Sequence, residues 1–181
     1  MLTRQEGSLQ LATEEGTVST HTPEFSRVFE KYHGLVFRTA YRITGNAADA
    51  EDVLQTIFLR LLRRNSSVPA VEKEESYLRR AAVNASLDLL RTRHSEQRVP
   101  LTEVSEPVHD PPDELRDCLR RAFVCLSPRS AEIFALRYVE DFTNRQIAEA
   151  LNMSQVLVAV TLHRTRRQLQ KEIRSYFGGH L

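Results

Sequence analysis

Between Thr161 and Phe177 five basic side chains, Arg164, Arg166, Arg167, Lys171 and Arg174, stand against one acid, Glu172, a local charge of +4 in a chain whose net charge is only +1. Guanidinium and ammonium groups gathered on one segment are suited to phosphate, and such clustering, more than overall charge, is the footprint of nucleic-acid contact. An ordinary solvated helix face would carry the same groups. The residues of catalysis are arranged differently. The six histidines are scattered, and no phosphate-cradling glycine loop, G-x-S-x-G elbow or HExxH pair occurs. Catalysis is therefore not expected, and neither is a cofactor or a metal. Cys118 and Cys125 lie seven apart in a helical stretch, which sets their Cα atoms ~10 Å apart, beyond disulfide reach. With no Cys or His at ligand spacing beside them, they are expected to be two partly buried thiols.

The elements that must position these groups all read as helices. With 41% hydrophobic residues in 181, the chain has material for the core of one ordinary domain or two small ones. No apolar run, Val156–Val160 included, approaches the ~20 residues of a membrane span, and MLTRQEGS has no secretion pattern, so a cytoplasmic protein is expected. Residues 1–21 lack periodicity and are expected to form a flexible tail. Phe25, Val28, Phe29, Tyr32, Leu35, Val36, Ala40 and Ile43 then recur at three- and four-residue steps, giving an amphipathic helix that Gly45-Asn46 should end. A second helix is predicted over about Ala48–Arg64, with Val53, Leu54, Ile57, Phe58, Leu61 and Leu62 on one face, and a third over Glu74–Arg93 with Tyr77, Leu78, Ala81, Ala82, Ala85 and Leu89.

Pro100, Pro107, Pro111 and Pro112 mark an extended linker. A second helical unit follows, with helices at about Asp113–Leu126, Pro128–Val139, Asn144–Leu151 and Gln155–Phe177. Ser127-Pro128 is a helix start. The fold class is all-α: two small helical domains at 22–95 and 113–177, a Pro-containing linker at 96–112, and a tail at 178–181.

Asn144–Leu162 fits a helix-turn-helix. Ala148 is small enough for two helices to cross closely, Asn152 tolerates the positive φ of the turn, Met153 plugs the core, and Ser154 can cap the second helix. Val158 and Leu162 face inward. That second helix would enter a major groove with its first residues on base edges and its basic later part on phosphate. In the first unit, Asp49, Asp52 and Gln55 step by three along a helix start and are expected on its exposed face.

The run Asp49-Ala50-Glu51-Asp52-Val53-Leu54-Gln55-Thr56-Ile57-Phe58 resembles the polymerase-binding helix of bacterial sigma factors, and in particular of the extracytoplasmic-function group, which keeps only regions two and four. Tyr41-Arg42-Ile43-Thr44-Gly45-Asn46 is similar to that group's lead-in. Tyr77-Leu78, Asn84, Asp88 and Arg91 are similar to its −10-reading helix. Leu126-Ser127-Pro128-Arg129, Phe134-Ala135-Leu136-Arg137-Tyr138, Ile147-Ala148-Glu149-Ala150-Leu151 and Leu162-His163-Arg164-Thr165-Arg166 resemble region four. The similarity runs in the family's order over about 22–95 and 113–177.

The resemblance implies a non-catalytic initiation factor. Asp49, Asp52, Gln55 and Phe58 would bind core RNA polymerase at its β′ clamp helices, and region four would meet the β flap. Tyr77, Arg79, Arg80, Asn84, Asp88 and Arg91 would read the −10 element, with Arg93 also suited to phosphate and a base flipped into the Asn65–Glu75 loop. Arg145, Ser154, Gln155, Leu157, Val158, Thr161, Arg164, Arg166 and Arg167 would serve the −35 element. Promoter DNA and an anti-sigma factor are the further partners implied, with no membrane insertion. One stretch departs from the family. Where its members carry Gly-Thr-Val-Lys/Arg-Ser-Arg, this chain reads Val156-Leu157-Val158-Ala159-Val160-Thr161, so hydrogen-bonded −35 readout should be shifted, towards A·T pairs, towards weak −35 dependence or towards a protein partner. The alternative is a helix-turn-helix regulator that binds duplex DNA without polymerase, though the first unit lacks the βαβ pattern such proteins place there.

Overall fold

The structure, a computed structural model, describes residues 23–64, 73–96 and 111–178. Among them the regular structure is seven α-helices: α1 (Pro23–Thr44), α2 (Ala47–Arg64), α3 (Glu74–Glu96), α4 (Pro111–Cys125), α5 (Pro128–Tyr138), α6 (Asn144–Leu151) and α7 (Gln155–Gly178). The chain is all-α, as its periodicity predicts. The expected tail at 1–21 and most of the linker lie outside the described residues.

α1 buries Val28, Tyr32, Val36, Ala40 and Ile43, a stripe at three- and four-residue steps. Gly45 ends it with φ of 66°, donating its N–H to the Tyr41 carbonyl at 2.8 Å. A Cβ there would also stand 2.6 Å from an Arg120 nitrogen, so glycine suits both the backbone and the close approach. Asn46 does a different job from the one expected. Its Oδ1 accepts the N–H groups of Ala48 (2.8 Å) and Asp49 (3.3 Å), so it starts α2 rather than stopping α1.

α1, α2 and α3 pack as a three-helix unit around Val28, Val36, Val53, Ile57, Phe58, Leu78 and Ala82. α4 to α7 enclose Ile133, Leu136, Ile147, Leu151, Val158 and Leu162. The two units also share apolar packing, because Ile43, Val83, Leu87 and Leu90 of the first join Ala122, Leu126 and Ala131 of the second in one buried cluster. α3 supplies the first unit's side of this seam against α4 and α5.

Several boundaries differ from expectation. α3 continues three residues beyond Arg93 to Glu96, and α5 stops at Tyr138. α4 begins at Pro111-Pro112 rather than after them, since proline costs nothing in a first turn whose N–H groups have no intrahelical acceptor. The thiols differ as well: Cys118 is buried and Cys125 exposed. No described helix is long and apolar enough to cross a membrane.

Candidate nucleic-acid interface

On α2, Glu51, Asp52 and Gln55 are exposed. Gln55 borders an open groove of about 540 Å³ between α1 and α2, walled by His33, Phe37, Arg38 and Leu54. Polar anchors beside an apolar floor suit a helical partner. Asp49 does not belong to this face. It is 3% exposed and ion-paired with Arg93. Burial raises its carboxyl above the usual aspartate range, the Asp52 charge adds to that rise, and Arg93 and Arg120 oppose it. A step of three residues turns a helix back by about 60°, so Asp49 and Gln55 end ~120° apart, with Asp49 in line with Val53. Phe58 is also internal, 4% exposed, set edge-on against Phe25 and Phe29. Of the four residues expected to meet polymerase, only Asp52 and Gln55 are on the surface.

On α3, Tyr77, Arg80, Asn84 and Asp88 fall at three- and four-residue steps and line a groove of about 260 Å³ with Ile57, Arg60 and Leu61 of α2. Arg91 reaches Asp88 at 3.1 Å. The structure thus brings four of the six expected −10 residues onto one stripe, with Arg91 tied to its end through Asp88 and Arg79 outside it, yet the heads of Arg79, Arg80 and Asn84 are already engaged by the second unit. Arg80 Nε donates to Glu132 Oε1 at 2.7 Å, Asn84 Nδ2 to the same oxygen at 3.0 Å, and Arg80 Nη1 to the Ala150 carbonyl at 2.9 Å. Arg79 pairs with both Glu75 and the buried Glu140, and Arg42 reaches Glu140 at 3.7 Å. Burial pushes the Glu132 carboxyl up, but the hydrogen bonds from Arg80 and Asn84 and the charges of Arg80 and Arg129 outweigh it, holding it below the usual range.

Glu132 and Glu140 were not anticipated. The available signal was Glu132 itself, an acid four residues before the core position Leu136, where an apolar side chain is the norm. Residues 65–72 of the expected flipped-base loop lie outside the described residues. At the loop's end Glu74 is buried with its carboxylate on Arg27, whose hydrogen bond holds it below the usual range. Arg93, expected on phosphate, is held by Asp49.

The second unit carries the helix-turn-helix. Thr143 and Gln146 form a reciprocal capping box at the start of α6. Asn152 takes the left-handed conformation, φ 50° and ψ 56°, and the Met153 N–H donates to the Ala148 carbonyl at 2.9 Å. Ser154 Oγ accepts the Leu157 N–H at 3.2 Å, capping α7. Gln155 and Leu157 are exposed, Thr161 is half-buried, and Arg164, Arg166 and Arg167 project from the same helix, Arg166 over the Tyr138 ring at 5.2 Å. Arg145 is exposed and pairs with Glu149 at 2.8 Å. Val158 is fully buried and touches no groove, so it is a core residue and not a −35 contact.

Residues 28–96 match sigma-70 region 2, and residues 116–169 match sigma-70 region 4. The chain belongs to the sigma-70 family, in its extracytoplasmic-function group. It is 29% identical to the RNA polymerase sigma-E factor of Streptomyces coelicolor, covering 83% of this chain and 86% of that protein. It is 26% identical to the extracytoplasmic-function sigma factor SigW of Bacillus subtilis over 83% of this chain and 89% of the relative. SigG of Mycobacterium tuberculosis is 30% identical over 81% of this chain but only 48% of its own length. α1, α2 and α3 are therefore the region-two unit and α4 to α7 the region-four unit.

Proposed function

We propose that the chain joins core RNA polymerase inside the cell and directs it to specific promoters, itself catalysing nothing. Region two, over residues 22–95, docks on the β′ clamp helices through Asp52, Gln55 and the apolar groove behind them. It holds the opened −10 strand along Tyr77, Arg80, Asn84 and Asp88, while region four, over 113–177, meets the β flap and the −35 duplex. An anti-sigma factor covering these faces is the expected restraint. The observation that carries this reading is the exposed α2 anchors on one side of region two and the α3 stripe on another, in a chain that matches both regions in order.

Transcription from a randomised promoter pool with core polymerase tests the activity. The anchors are tested by changing Asp52→Ala and Gln55→Ala together. Both are exposed, so melting should stay where it is while affinity for core falls about tenfold, as for polar anchors near an interface centre. Unchanged affinity would count against the assignment.

A further inference from the structure

Three aliphatic side chains stand on the surface of the helix that a helix-turn-helix sends into DNA. Val156, Leu157 and Val160 are 73%, 50% and 39% exposed in the first two turns of α7, while Val158 and Leu162 take that helix's inward positions. Beyond them Arg164 and Arg167 are exposed on the same helix, and Arg145 on α6. The cations complement a phosphate backbone, which favours duplex DNA over a protein as the occupant of this end. In the major groove, purine edges offer only hydrogen-bonding atoms, and the C5-methyl of thymine is the apolar feature. Ser154 Oγ caps this helix by accepting the Leu157 N–H, and Gln155 is the exposed polar side chain beside Val156.

Resting on the promoter-binding reading above, we propose that region four reads its upstream element through thymine methyl groups, with Val156 and Leu157 as specificity-determining side chains and Val160 one turn behind. Promoters selected with core polymerase should carry thymines in that element. Replacing one thymine by deoxyuridine removes only the methyl, and each such change should weaken promoter binding about fourfold, the worth of one buried methyl-sized group. In the Val156→Ser, Leu157→Ser variant the deoxyuridine effect should vanish. Both positions are exposed, so folding is not at risk. Full indifference to deoxyuridine upstream, or guanine-dependent protection there, would overturn the inference. So would unaltered deoxyuridine sensitivity in the variant, which would leave the patch for a protein partner. If initiation persists on the −10 element alone, this inference fails and the parent reading stands; if no promoter is used, the parent reading fails.

A second inference rests on different contacts. Glu132 and Glu140 of region four, both buried, place carboxylates on Arg79, Arg80 and Asn84, where the opened strand would run. The seam beneath, joining Val83, Leu87 and Leu90 to Ala122, Leu126 and Ala131, holds the units together. We infer that the free chain is closed, with region four standing in for the phosphates of the −10 strand, and that single-stranded promoter DNA and this contact exclude one another. Small-angle scattering of the unchanged chain, titrated with a single-stranded −10 oligonucleotide, should show the radius of gyration rising as the strand binds. Binding at constant radius would overturn the inference. Glu132→Gln with Glu140→Gln should tighten oligonucleotide binding several-fold at unchanged helicity, and unchanged or weaker binding at that helicity would likewise count against it.

Discussion

Asp49 and Asp52 are the same residue type one helical turn apart, yet one is an internal ion-pair partner and the other a surface group. The difference is angular. Sequence spacing identified an acidic cluster, but the cluster straddles the edge of the apolar stripe, and only the packing of α3 against α2, with Arg93 at its far end, decides which acids are enclosed. Phe58 shows the converse, since an aromatic beside polar anchors looks like an interface residue until Phe25 and Phe29 are seen to cover it. This yields a contrast with the Asp52 and Gln55 pair. Phe58→Ala should cost region two about 3–5 kcal/mol through the cavity it leaves. In chemical denaturation the region-two transition should move to lower denaturant, and polymerase affinity should fall only in step with that unfolding. Loss of affinity with the transition unmoved would place Phe58 at the interface after all.

At the scale of elements, most of the fold was legible because each helix announces itself twice, by periodicity and by punctuation. Ser127-Pro128 and Asn152 occupy the positions their chemistry favours, and so do Thr143 and Gln146, a start signal present in the sequence that its reading passed over. Gly45 and Asn46 were both read as a stop, although only Gly45 has positive φ; the Asn46 side chain caps the next helix. α3 was the hardest to read. Its expected apolar stripe included Leu78 and Ala82, which do face α1 and α2, but Val83, Ser86, Leu87 and Leu90 are buried on another side. A helix serving two cores shows no single polar face, so its second buried face could not be told from sequence, and the partner for that face lies beyond a linker whose length sets no contact. Tyr77, Arg80, Asn84 and Asp88 could be set on one stripe of α3 from their spacing; the pairing of Asn84 with Glu132 could not, because nothing local joins residues 48 positions apart.

For the whole molecule, the contact between the units is electrostatic where it covers Arg79, Arg80 and Asn84 of α3 and apolar beneath, and the two parts answer differently to pH. Glu132 faces Arg80 and Asn84 from α3 and Arg129 from its own helix, and Glu140 faces Arg79 and Arg42. With its pKa held below the ordinary glutamate value of 4.5, Glu132 stabilises the closed form above that value, and the contribution disappears as pH falls through the lowered pKa. Separation of the units removes the Arg80 and Asn84 hydrogen bonds that hold the Glu132 carboxyl low while leaving Arg129, so that part of the linkage belongs to closure rather than to the folding of region four. Glu74, also held low, weakens region two in the same acid range, whereas Asp49, held high, works the other way: its protonated form is favoured in the folded state, and its contribution grows as pH drops. The radius of gyration should therefore be constant around pH 7 and increase below about 4.5. The Glu132→Gln variant, with no carboxylate to protonate, should show a smaller acid response. Far-UV circular dichroism on the same samples separates opening from unfolding, since opening leaves the helix signal intact. A radius that grows only together with loss of helicity, equally in both proteins, would show that the acid response is unfolding and that the Glu132 contact contributes nothing to closure.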